Sequence, residues 1–554
     1  MAPAVVALGF LVVPSAAAAL LAPSLAADAM KGPSSSSPSD IVEFKGDLYF
    51  AATGSLGSEL YRYDGSKVRL VKDILPGYKS SDPDFMTVLG NHLYFRADTE
   101  ATGDEIWRTD GTTTSLFADI NPGEEDSSPN DLVTVGGRLY FEAESAGTGS
   151  ELYSTDGTSA SLTGDLNPGT DSSFPSDLIA FDGEIYYQAR TPALGIELYR
   201  SDGGTPELVY EIEPGGSSGD PENFAVMGGF LYFNGDNSAS GEELWRSDGT
   251  TTAIVADILP GANGSSPNDL VASDNQLFFE ADDGTTGFEP WKTDGVTTAI
   301  VEDIDPGADG SYPDELTALP GDRIAFTADD GTNGYEPWIN DGSTSIRWDV
   351  EPGEDSSDPG FFFESGGVVY FRARKSLLGQ ELWAIENGGL KLVKEILPGS
   401  DGSSPRDFIA TSLGVFFTAD DGTRGRELWQ LAVPDEMVTV RFGKTLRFKQ
   451  GRPSTLKITC PVAEASGPCS GSFTLSTARK VKAGGRKIRM VLQRGTFSAA
   501  AGKSASVKVR LNRTERRLLR KNPAARKLVL KIKVSDRAGN TRNINGAVKA
   551  QVTG

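Results

Sequence analysis

A Pro-Gly pair recurs along this chain at a constant spacing of 46 residues. The pairs begin at Pro76, Pro122, Pro168, Pro214, Pro260, Pro306, Pro352 and Pro398. A fixed period in this range marks a repeat architecture, in which one supersecondary unit is copied many times. The sequence therefore constrains the fold more tightly than it constrains any activity.

Each repeat contains four short strand patterns. In one unit they are predicted at residues 131–137, 138–143, 151–155 and 161–166, and the last of them stops at Pro168. Asp156-Gly157 joins the third and fourth patterns, and Asp-Gly between alternating apolar runs is a strong hairpin signal. Four antiparallel strands in every repeat predict the blades of an all-β propeller. A β-sandwich array is the runner-up, and helical repeats are excluded because Gly or Pro arrives every few residues.

The strand types do not occur equally often. The aromatic strand occurs nine times, at Tyr49, Tyr94, Tyr140, Tyr186, Tyr232, Phe278, Ala325, Tyr370 and Phe416. The Pro-Gly strand occurs eight times, so the last copy lacks its fourth strand. The N-terminal segment 26–32 is in register with 117–123, because Asp28 and Asp119 each lie ten residues before a proline. We therefore expect nine blades closed by an N-terminal strand, which removes exposed edges, with eight blades and an accessory hairpin as the alternative.

The charge is divided between two regions. The formal net charge is -25, but residues 432–554 carry about +23 and the rest of the chain about -48. Two domains with different surfaces follow from this split. The only histidine is His92, which excludes a repeated Ser-His-Asp triad and His-rich zinc sites.

The N-terminus has the apolar character of a secretory signal peptide. It is apolar from Val5 to Val13, and small-residue cleavage options lie near Ala18, Ala26 and Ala29. We expect a signal peptide at residues 1–23 with cleavage between 18 and 29, a propeller at 24–431, a linker at 432–437 and a basic domain at 438–554. Cleavage after Ala29 would remove the closing strand. No transmembrane anchor is expected once the signal is removed.

The repeat resembles the bacterial ELWxxDGT repeat of secreted and surface proteins. The matching segments are Glu243-Leu-Trp-Arg-Ser-Asp-Gly-Thr250, Glu105-Ile-Trp-Arg-Thr-Asp-Gly-Thr112 and Glu151-Leu-Tyr-Ser-Thr-Asp-Gly-Thr158. The resemblance covers roughly residues 36–431 and departs from the pattern where Pro290 and Pro337 replace the Leu. It implies a propeller-like extracellular module and no established catalytic activity.

The basic region resembles the Ig-like β-sandwich domains that end many actinobacterial secreted proteins. The matching segments are Cys460-Pro461, 469–471, 501–504 and Asp536-Arg-Ala-Gly-Asn540. Strands are predicted at 454–460, 472–477, 505–511, 528–534 and 548–552. Asn512 and Glu515 form the pattern of a capping box that opens a short helix. Cys460 and Cys469 are expected to form a disulfide, which export permits.

One glutamate occupies the same place in every repeat. These residues are Glu59, Glu105, Glu151, Glu197, Glu243, Glu289, Glu336, Glu381 and Glu427. Strand alternation puts each of them on the same face as the aromatic residue two positions later. We interpret them as structural, because a buried carboxylate survives when it accepts backbone N–H bonds. Nine equal glutamates also single out no catalytic residue.

Acidic loops supply the candidate metal ligands. Three repeats carry an Asp-Asp-Gly loop, with the pairs Asp282 and Asp283, Asp329 and Asp330, and Asp420 and Asp421. Their carboxylates could ligate calcium, which prefers six to eight oxygen ligands, but the spacing is not that of an EF-hand. A solvated acidic turn is the favoured interpretation. No cofactor other than calcium is expected.

These observations favour a secreted or cell-surface, non-enzymatic binding or scaffold protein. The basic domain is expected to hold an envelope polymer through the cluster Arg513, Arg516, Arg517, Arg520 and Lys521. The propeller is expected to present loops to an extracellular protein or glycan, as a monomer and with no nucleic-acid partner. A carbohydrate-active enzyme, a glycoside hydrolase or lyase with carboxylates in the propeller channel, is the alternative.

Overall fold

The computed structural model describes two parts of the chain. The first is residues 22–432 without interruption. The second comprises residues 441–442, 445–448, 454–459, 469–477, 481–483, 486–488, 490–499, 504–521, 526–535 and 541–552. The predicted all-β class is confirmed: within these ranges the only helix is Arg513–Lys521. No helix in the described ranges has the length and apolar character needed to cross a membrane.

Residues 22–432 form nine four-stranded antiparallel sheets, numbered here in chain order. Sheets 1 to 3 comprise Ser39–Phe44, Asp47–Gly54, Gly57–Tyr63 and Val68–Lys72; Asp84–Leu89, His92–Thr99, Gly103–Thr109 and Thr114–Ala118; and Asn130–Val135, Arg138–Ser145, Gly149–Thr155 and Ala160–Gly164. Sheets 4 to 6 comprise Ser176–Phe181, Glu184–Thr191, Gly195–Ser201 and Glu207–Tyr210; Glu222–Met227, Phe230–Asn237, Gly241–Ser247 and Thr252–Ala256; and Asn268–Ser273, Gln276–Asp282, Phe288–Thr293 and Thr298–Ile300.

Sheets 7 to 9 comprise Asp314–Leu319, Arg323–Asp329, Tyr335–Asn340 and Ser345–Arg347; Gly360–Ser365, Val368–Lys375, Gly379–Glu386 and Gly389–Lys394; and Arg406–Thr411, Gly414–Asp420, Arg426–Ala432 and the N-terminal strand Ala22–Ala27. In sheet 9 the N-terminal strand pairs antiparallel with Arg426–Ala432, with Ala22 opposite Ala432. This strand begins two residues before the predicted domain boundary at 24.

Successive sheets are arranged as in a β-propeller. The first strand of each sheet contacts the first strand of the next, and the first strand of sheet 9 contacts that of sheet 1. The first strands therefore line the inside of a closed circuit. Apolar side chains of adjacent sheets pack together, and the same packing joins sheet 9 to sheet 1 through Phe416, Leu428, Leu48 and Phe50.

Each first strand contains a bulge at its second residue. In sheet 3 the pairing shifts between Asn130 and Val133, so that one extra residue is accommodated. The second residue has a left-handed backbone in all nine sheets although none is glycine; these residues are Asp40, Phe85, Asp131, Asp177, Asn223, Asp269, Glu315, Phe361 and Asp407. The repeat thus stores the same local strain nine times on its inner wall.

The described part of the basic region contains a three-stranded and a five-stranded sheet that share one core. One sheet joins Arg441–Phe442, Ser454–Thr459 and Ser504–Val509, and the other joins Thr445–Phe448, Thr541–Val552, Lys527–Ser535, Cys469–Thr477 and Val491–Ala499. A hairpin of Val481–Ala483 and Arg486–Ile488 completes the described strands. The core contains Leu456 and Ile458 from the first sheet and Phe473, Leu530 and Ile532 from the second. Each of the five predicted strands overlaps one of these, whereas the sequence did not predict Arg441–Phe442, Thr445–Phe448, Val491–Ala499 or the hairpin.

The helix opens as its sequence predicts. The backbone N–H of Asn512 donates to Glu515 Oε2 at 2.8 Å, and the N–H of Glu515 donates to Asn512 Oδ1 at 2.9 Å. This reciprocal pair is a capping box. At the other end, Arg526 donates to the carbonyl oxygens of Leu519 and Arg520 and so satisfies the last turn.

Candidate functional site

The repeated glutamates lie inside the sheets and hold the connections between them. Glu243 is typical: its carboxylate accepts the N–H groups of Ile258 and Leu259 at 3.0 Å, and both the N–H and the hydroxyl of Ser265. These donors belong to the chain that leaves the fourth strand and crosses to the next sheet. Each glutamate thus fixes a connection whose backbone N–H groups have no strand partner. These hydrogen bonds to the carboxylate offset the cost of burying it.

The same arrangement occurs around the whole circuit. All nine glutamates are at most 1% exposed. In sheet 9 the donors come from the opposite end of the chain: Ala29 N–H and Ser36 N–H bind Glu427 at 3.3 and 2.9 Å, and the Ser36 hydroxyl binds it as well. The N-terminal segment therefore takes the place of the missing crossover.

Sheet 4 differs in one donor. Gly219 stands where the other sheets have a serine, so Glu197 accepts from the N–H groups of Ile212 and Glu213 without a hydroxyl partner. Burial raises the pKa of Glu197 to about 7, although hydrogen bonds from Ile212 and Glu213 act in the opposite direction. Burial likewise raises the pKa values of Glu336 and Glu427 to about 7.

The aromatic residue that follows each glutamate packs between sheets. Trp107 is 7% exposed and lies in a core shared by sheets 1 and 2, with Leu60 and Ile74. The Lys72 ammonium lies 4.8 Å from the centre of its ring. These side chains are therefore part of the packing and are not presented to a ligand.

The acidic loops form side-chain-capped turns. Asp283 Oδ1 accepts the N–H groups of Thr285 and Thr286 at 2.8 Å, and Asp330 and Asp421 bind their own loops in the same way. Asp282, Asp329 and Asp420 each accept the glycine N–H two residues later. Burial would raise the pKa of Asp421, but hydrogen bonds from Thr423 and Arg424 outweigh it and lower the pKa to about 2. Among the residues that the structure describes, no group of three or more His, Cys, Asp or Glu could hold a metal ion.

The predicted basic cluster lies on the helix. Arg513, Arg517, Arg520 and Lys521 are exposed and Arg516 is half-buried. Cys460 lies outside the described residues, and the side chain of Cys469 does too, so the disulfide stays a prediction.

A set of positions near the inner wall differs from sheet to sheet. We call rim positions the second-strand residues that pair with the first residue of the first strand, as Glu280 pairs with Asn268. In chain order they are Ala51, Arg96, Glu142, Gln188, Asn234, Glu280, Thr327, Arg372 and Thr418. Charge, size and hydrogen-bonding capacity all change along this series, in contrast to the nine identical glutamates.

Two of the four charged rim residues, Arg96 and Glu142, have partners in their own sheet. Arg96 forms a bidentate pair with Asp84, at 2.9 and 2.5 Å. Glu142 accepts the hydroxyl of Ser150. These groups are satisfied within the fold and leave little capacity for a ligand.

Three consecutive rim positions, in sheets 6, 7 and 8, open into one cavity of about 560 Å³. We call it the inner-rim cavity; its main polar and aromatic lining is Glu280, Tyr312, Asp314, Thr327, Tyr335 and Arg372. Its volume lies in the range of small-molecule sites. Tyr312 is 48% exposed and lies at the mouth, with its ring 5.7 Å from that of Phe288.

The polar groups of this cavity are less satisfied than their counterparts elsewhere. Thr327 is 6% exposed, and its buried hydroxyl has no hydrogen-bond partner. The Arg372 Nε is buried and also without a partner, while its guanidinium lies 4.6 Å from the centre of the Phe361 ring. Burial lowers the pKa of Arg372. Burial, with a smaller contribution from the nearby Asp314 and Asp269, raises the pKa of Glu280 to about 7.

Sequence reasoning did not find this cavity. Its residues come from three repeats, and the 46-residue period draws attention to what the repeats share. The available signal was the fifth residue of the aromatic strand, which is one of six residue types in the nine copies. That residue pairs with the first strand in each sheet, so its variation marks a place where the repeats have different chemistry.

Comparisons with known proteins do not identify the chain. No family model matches it, and no curated protein matches it. Among solved structures it is similar to a prolyl endopeptidase, with 10% identity, a TM-score of 0.36 and 67% of this chain covered, and it spans 57% of that chain. It is similar to Saccharomyces cerevisiae Sqt1, with 10% identity, a TM-score of 0.32 and coverage of 74% of this chain and 99% of that one. It is similar to the Aleuria aurantia lectin in complex with alpha-methyl-L-fucoside, with 12% identity, a TM-score of 0.24 and coverage of 48% and 91%. These likenesses are too low to carry an argument about function.

Proposed function

We propose that this chain is a secreted or cell-surface binding and scaffold protein without catalytic activity. It consists of a nine-bladed propeller closed by the strand Ala22–Ala27 and an Ig-like basic domain, and it works as a monomer. Ligand binding takes place in the inner-rim cavity. The observation that carries the proposal is the pair of unpartnered buried polar atoms there, Thr327 Oγ1 and Arg372 Nε. Such atoms cost free energy unless something binds them.

The closing strand bears on secretion. Cleavage near Ala18 leaves Ala22–Ala27 whole, whereas cleavage after Ala26 or Ala29 removes most or all of it. We propose cleavage near Ala18, because the paired strand covers the edge of sheet 9. N-terminal sequencing of the exported protein tests this, and a mature chain that begins at Met30 would contradict it.

The basic domain is proposed to associate with the cell envelope. Lys527, Lys531 and Lys533 are exposed on one face of the five-stranded sheet, in addition to the basic helix cluster. Alternate residues of a strand share a face, so this surface presents a row of like charges to an anionic polymer. Wall retention should fall when residues 438–554 are removed, and the loss should be larger in low salt than in high salt, because salt screens the attraction between the basic surface and an anionic polymer. Unchanged retention would contradict the envelope role.

Ligand binding by the propeller is tested with an array of glycans and peptides. We expect saturable binding that weakens about ten-fold in Thr327→Val, because the valine side chain has no hydroxyl to donate to a ligand. Thr418→Val is the matched control, because Thr418 occupies the rim position of sheet 9 and its hydroxyl already donates to Asp407. Equal loss in the two variants would contradict a site in the inner-rim cavity.

A carbohydrate-active enzyme is the second candidate. The raised pKa of Glu280, to about 7, is what a general acid needs beside a second carboxylate, and Asp314 lies close enough to contribute to that shift. A hydrolysis screen separates the two functions. Reproducible cleavage of a glycan that Glu280→Gln abolishes would overturn the binding proposal.

A further inference from the structure

We propose that the inner-rim cavity takes a ligand with a primary ammonium group next to a hydrogen-bond acceptor. This inference rests on the proposed function, because it assigns a chemistry to the ligand of the same cavity. The geometry that points to it is an excess of carboxylates over cations, two aromatic rings and two unpartnered polar atoms in one concave site.

The charge balance of the lining favours a cation. Glu280, Asp314, Glu315 and Asp358 line the cavity, and Arg372 is its only basic residue in the part of the chain that the structure describes. Glu315 accepts the N–H of Phe361 at 2.9 Å, and Asp314 Oδ1 accepts the N–H of Glu315 at 2.7 Å. The Asp358 carboxylate lies 4.0 Å from Arg374 Nε, which leaves Glu280 as the carboxylate with the most capacity for a ligand. An anion would meet a negative surface here, whereas an ammonium reduces the repulsion among the carboxylates.

Glu280 is the lining carboxylate with the fewest hydrogen-bond donors around it. It is half-buried, it faces Asp269 and Asp314, and no described residue donates a hydrogen bond to it. Glu142, the equivalent residue in sheet 3, has Ser150 as a donor. An ammonium has three N–H donors and no acceptor, so it supplies what Glu280 lacks. Desolvation inside the cavity strengthens that contact.

Two aromatic rings add to the cation site. Tyr312 and Tyr335 both line the cavity, and Tyr335 lies near Glu280. A cation over the face of a tyrosine ring is attracted by its quadrupole. A metal ion does not fit these residues, because no described group of acidic side chains is arranged to hold one. The two tyrosine rings, together with a Glu280 carboxylate that accepts no hydrogen bond from a described residue, therefore suit an organic ammonium.

Two other lining residues supply donors. Arg372 Nε and the Thr327 hydroxyl are both buried and unpartnered, and they come from adjacent sheets. A hydroxyl or carbonyl oxygen next to the ammonium would accept from them. Two sources carry this pairing: an amino sugar, with its amine beside hydroxyl groups, and a lysine side chain near a peptide carbonyl.

The test measures binding of amine probes and their acetylated partners to the full chain by calorimetry. The probes are an oligomer of glucosamine and a lysine-containing peptide, and their controls are the N-acetylglucosamine oligomer and the acetyl-lysine peptide. We expect at least one amine probe to bind about ten-fold more tightly than its acetylated control. That probe also identifies the source of the ammonium.

Matched variants locate the site. Glu280→Gln should weaken the amine probe about ten-fold, whereas Glu142→Gln, at the equivalent rim position, should leave its affinity unchanged within about two-fold. Both variants are expected to keep the thermal midpoint of the unmodified protein, because neither residue joins two sheets. Equal weakening in both variants overturns the assignment to this cavity.

The pH dependence supplies an independent readout. The lysine ammonium stays charged across the neutral range, with a pKa of about 10.4. Binding of the lysine peptide should therefore tighten between about pH 5.5 and pH 8 as Glu280 ionises, and Glu280→Gln should remove that dependence. Other titratable groups lie in or beside the same space, so the variant is needed to assign the titration to Glu280; they are Asp269, Asp314, Glu315, Asp358, Tyr312, Tyr335 and Arg372.

The remaining outcomes separate this inference from the proposed function. If the acetylated probes bind as tightly as the amines and Thr327→Val weakens them, the cavity binds a neutral ligand; the ammonium inference is then overturned while the binding function stands. If neither amine probe binds, the inference is overturned, and the array experiment decides the binding function separately.

Discussion

The buried glutamates and the rim positions are both nine-fold sets in the same sheets, but they behave in opposite ways. Glu59 and its eight counterparts are identical and buried, and each is bound to the crossover that follows it or, for Glu427, to the N-terminal segment. The rim series runs from Ala51 through Arg96 and Glu280 to Thr418 and keeps neither charge nor size.

The difference follows from what each position contacts. In eight sheets the glutamate contacts the crossover that follows it, and in sheet 9 the N-terminal segment takes the same place, so one arrangement serves nine times. A rim residue lies beside the first strand of its sheet, where no repeated partner requires one chemistry. Uniformity therefore marks residues that hold the fold, and variation marks residues that are available for a ligand.

Loss of the strand that closes the ring should have the largest effect on stability, because it also removes the donors of one repeated glutamate. A chain that begins at Ser39 lacks Ala22–Ala27 as well as the Ala29 and Ser36 donors of Glu427. We expect loss of a single cooperative transition and aggregation through the exposed edge of sheet 9. Thermal unfolding and size-exclusion chromatography measure this, with a chain that begins at Ala22 as the control. A midpoint equal to that control would contradict closure by the N-terminal strand.

Removal of an interior aromatic side chain should have the second-largest effect on stability. Trp107→Ala removes a 7% exposed ring from the core between sheets 1 and 2, and we expect a loss of about 3 to 5 kcal/mol in the free energy of unfolding. Tyr312→Ala, at the mouth of the inner-rim cavity, should cost no more than about 1 kcal/mol. Chemical denaturation compares the two variants. Similar losses would remove the distinction between interior and rim.

Stability should decline as pH rises through neutrality. Burial raises the pKa of Glu197 from 4.5 to about 7, so the folded protein holds this proton more tightly than the unfolded chain does. The contribution is fully present below about pH 4.5 and is lost as pH rises through about 7. Glu197→Gln should flatten the decline between about pH 5 and pH 8 by up to about 3 kcal/mol. The exposed Glu124→Gln is the control, and an equal change in both variants would exclude Glu197 as the cause.

Chelation should have the smallest effect. The Oδ1 atoms of Asp283, Asp330 and Asp421 already accept loop N–H groups, so we expect the thermal midpoint to be the same with and without chelator. A midpoint that falls on chelation and recovers with added calcium would show that the acidic loops do bind the ion.

The repetitive part of the fold could be predicted because it obeys local rules. Strand alternation places Glu105 and Trp107 on one buried face, and the Asp-Gly turns and Pro-Gly ends limit the strands between them. The register of Asp28 with Asp119 suggested the pairing of Ala22–Ala27. The nine-blade interpretation itself stays a proposal.

The rest depends on contacts that a single repeat does not encode. The donors of Glu243 lie 15, 16 and 22 residues later, beyond the reach of strand periodicity. Glu280, Thr327 and Arg372 meet only because three sheets stand side by side. Their missing partners become visible only when every neighbour is placed, so the inner-rim cavity could not be read from the period.

The most direct measurement compares Glu243→Gln with Glu280→Gln, by thermal midpoint and by affinity for the amine probe that binds the unmodified protein. We predict that Glu243→Gln lowers the midpoint by several degrees, since a neutral amide cannot accept all four hydrogen bonds, and leaves affinity within about two-fold. Glu280→Gln should keep the midpoint and lose about ten-fold in affinity. If Glu243→Gln melts like the unmodified protein, or if Glu280→Gln lowers the midpoint as far as Glu243→Gln does, the separation of fold from binding is contradicted.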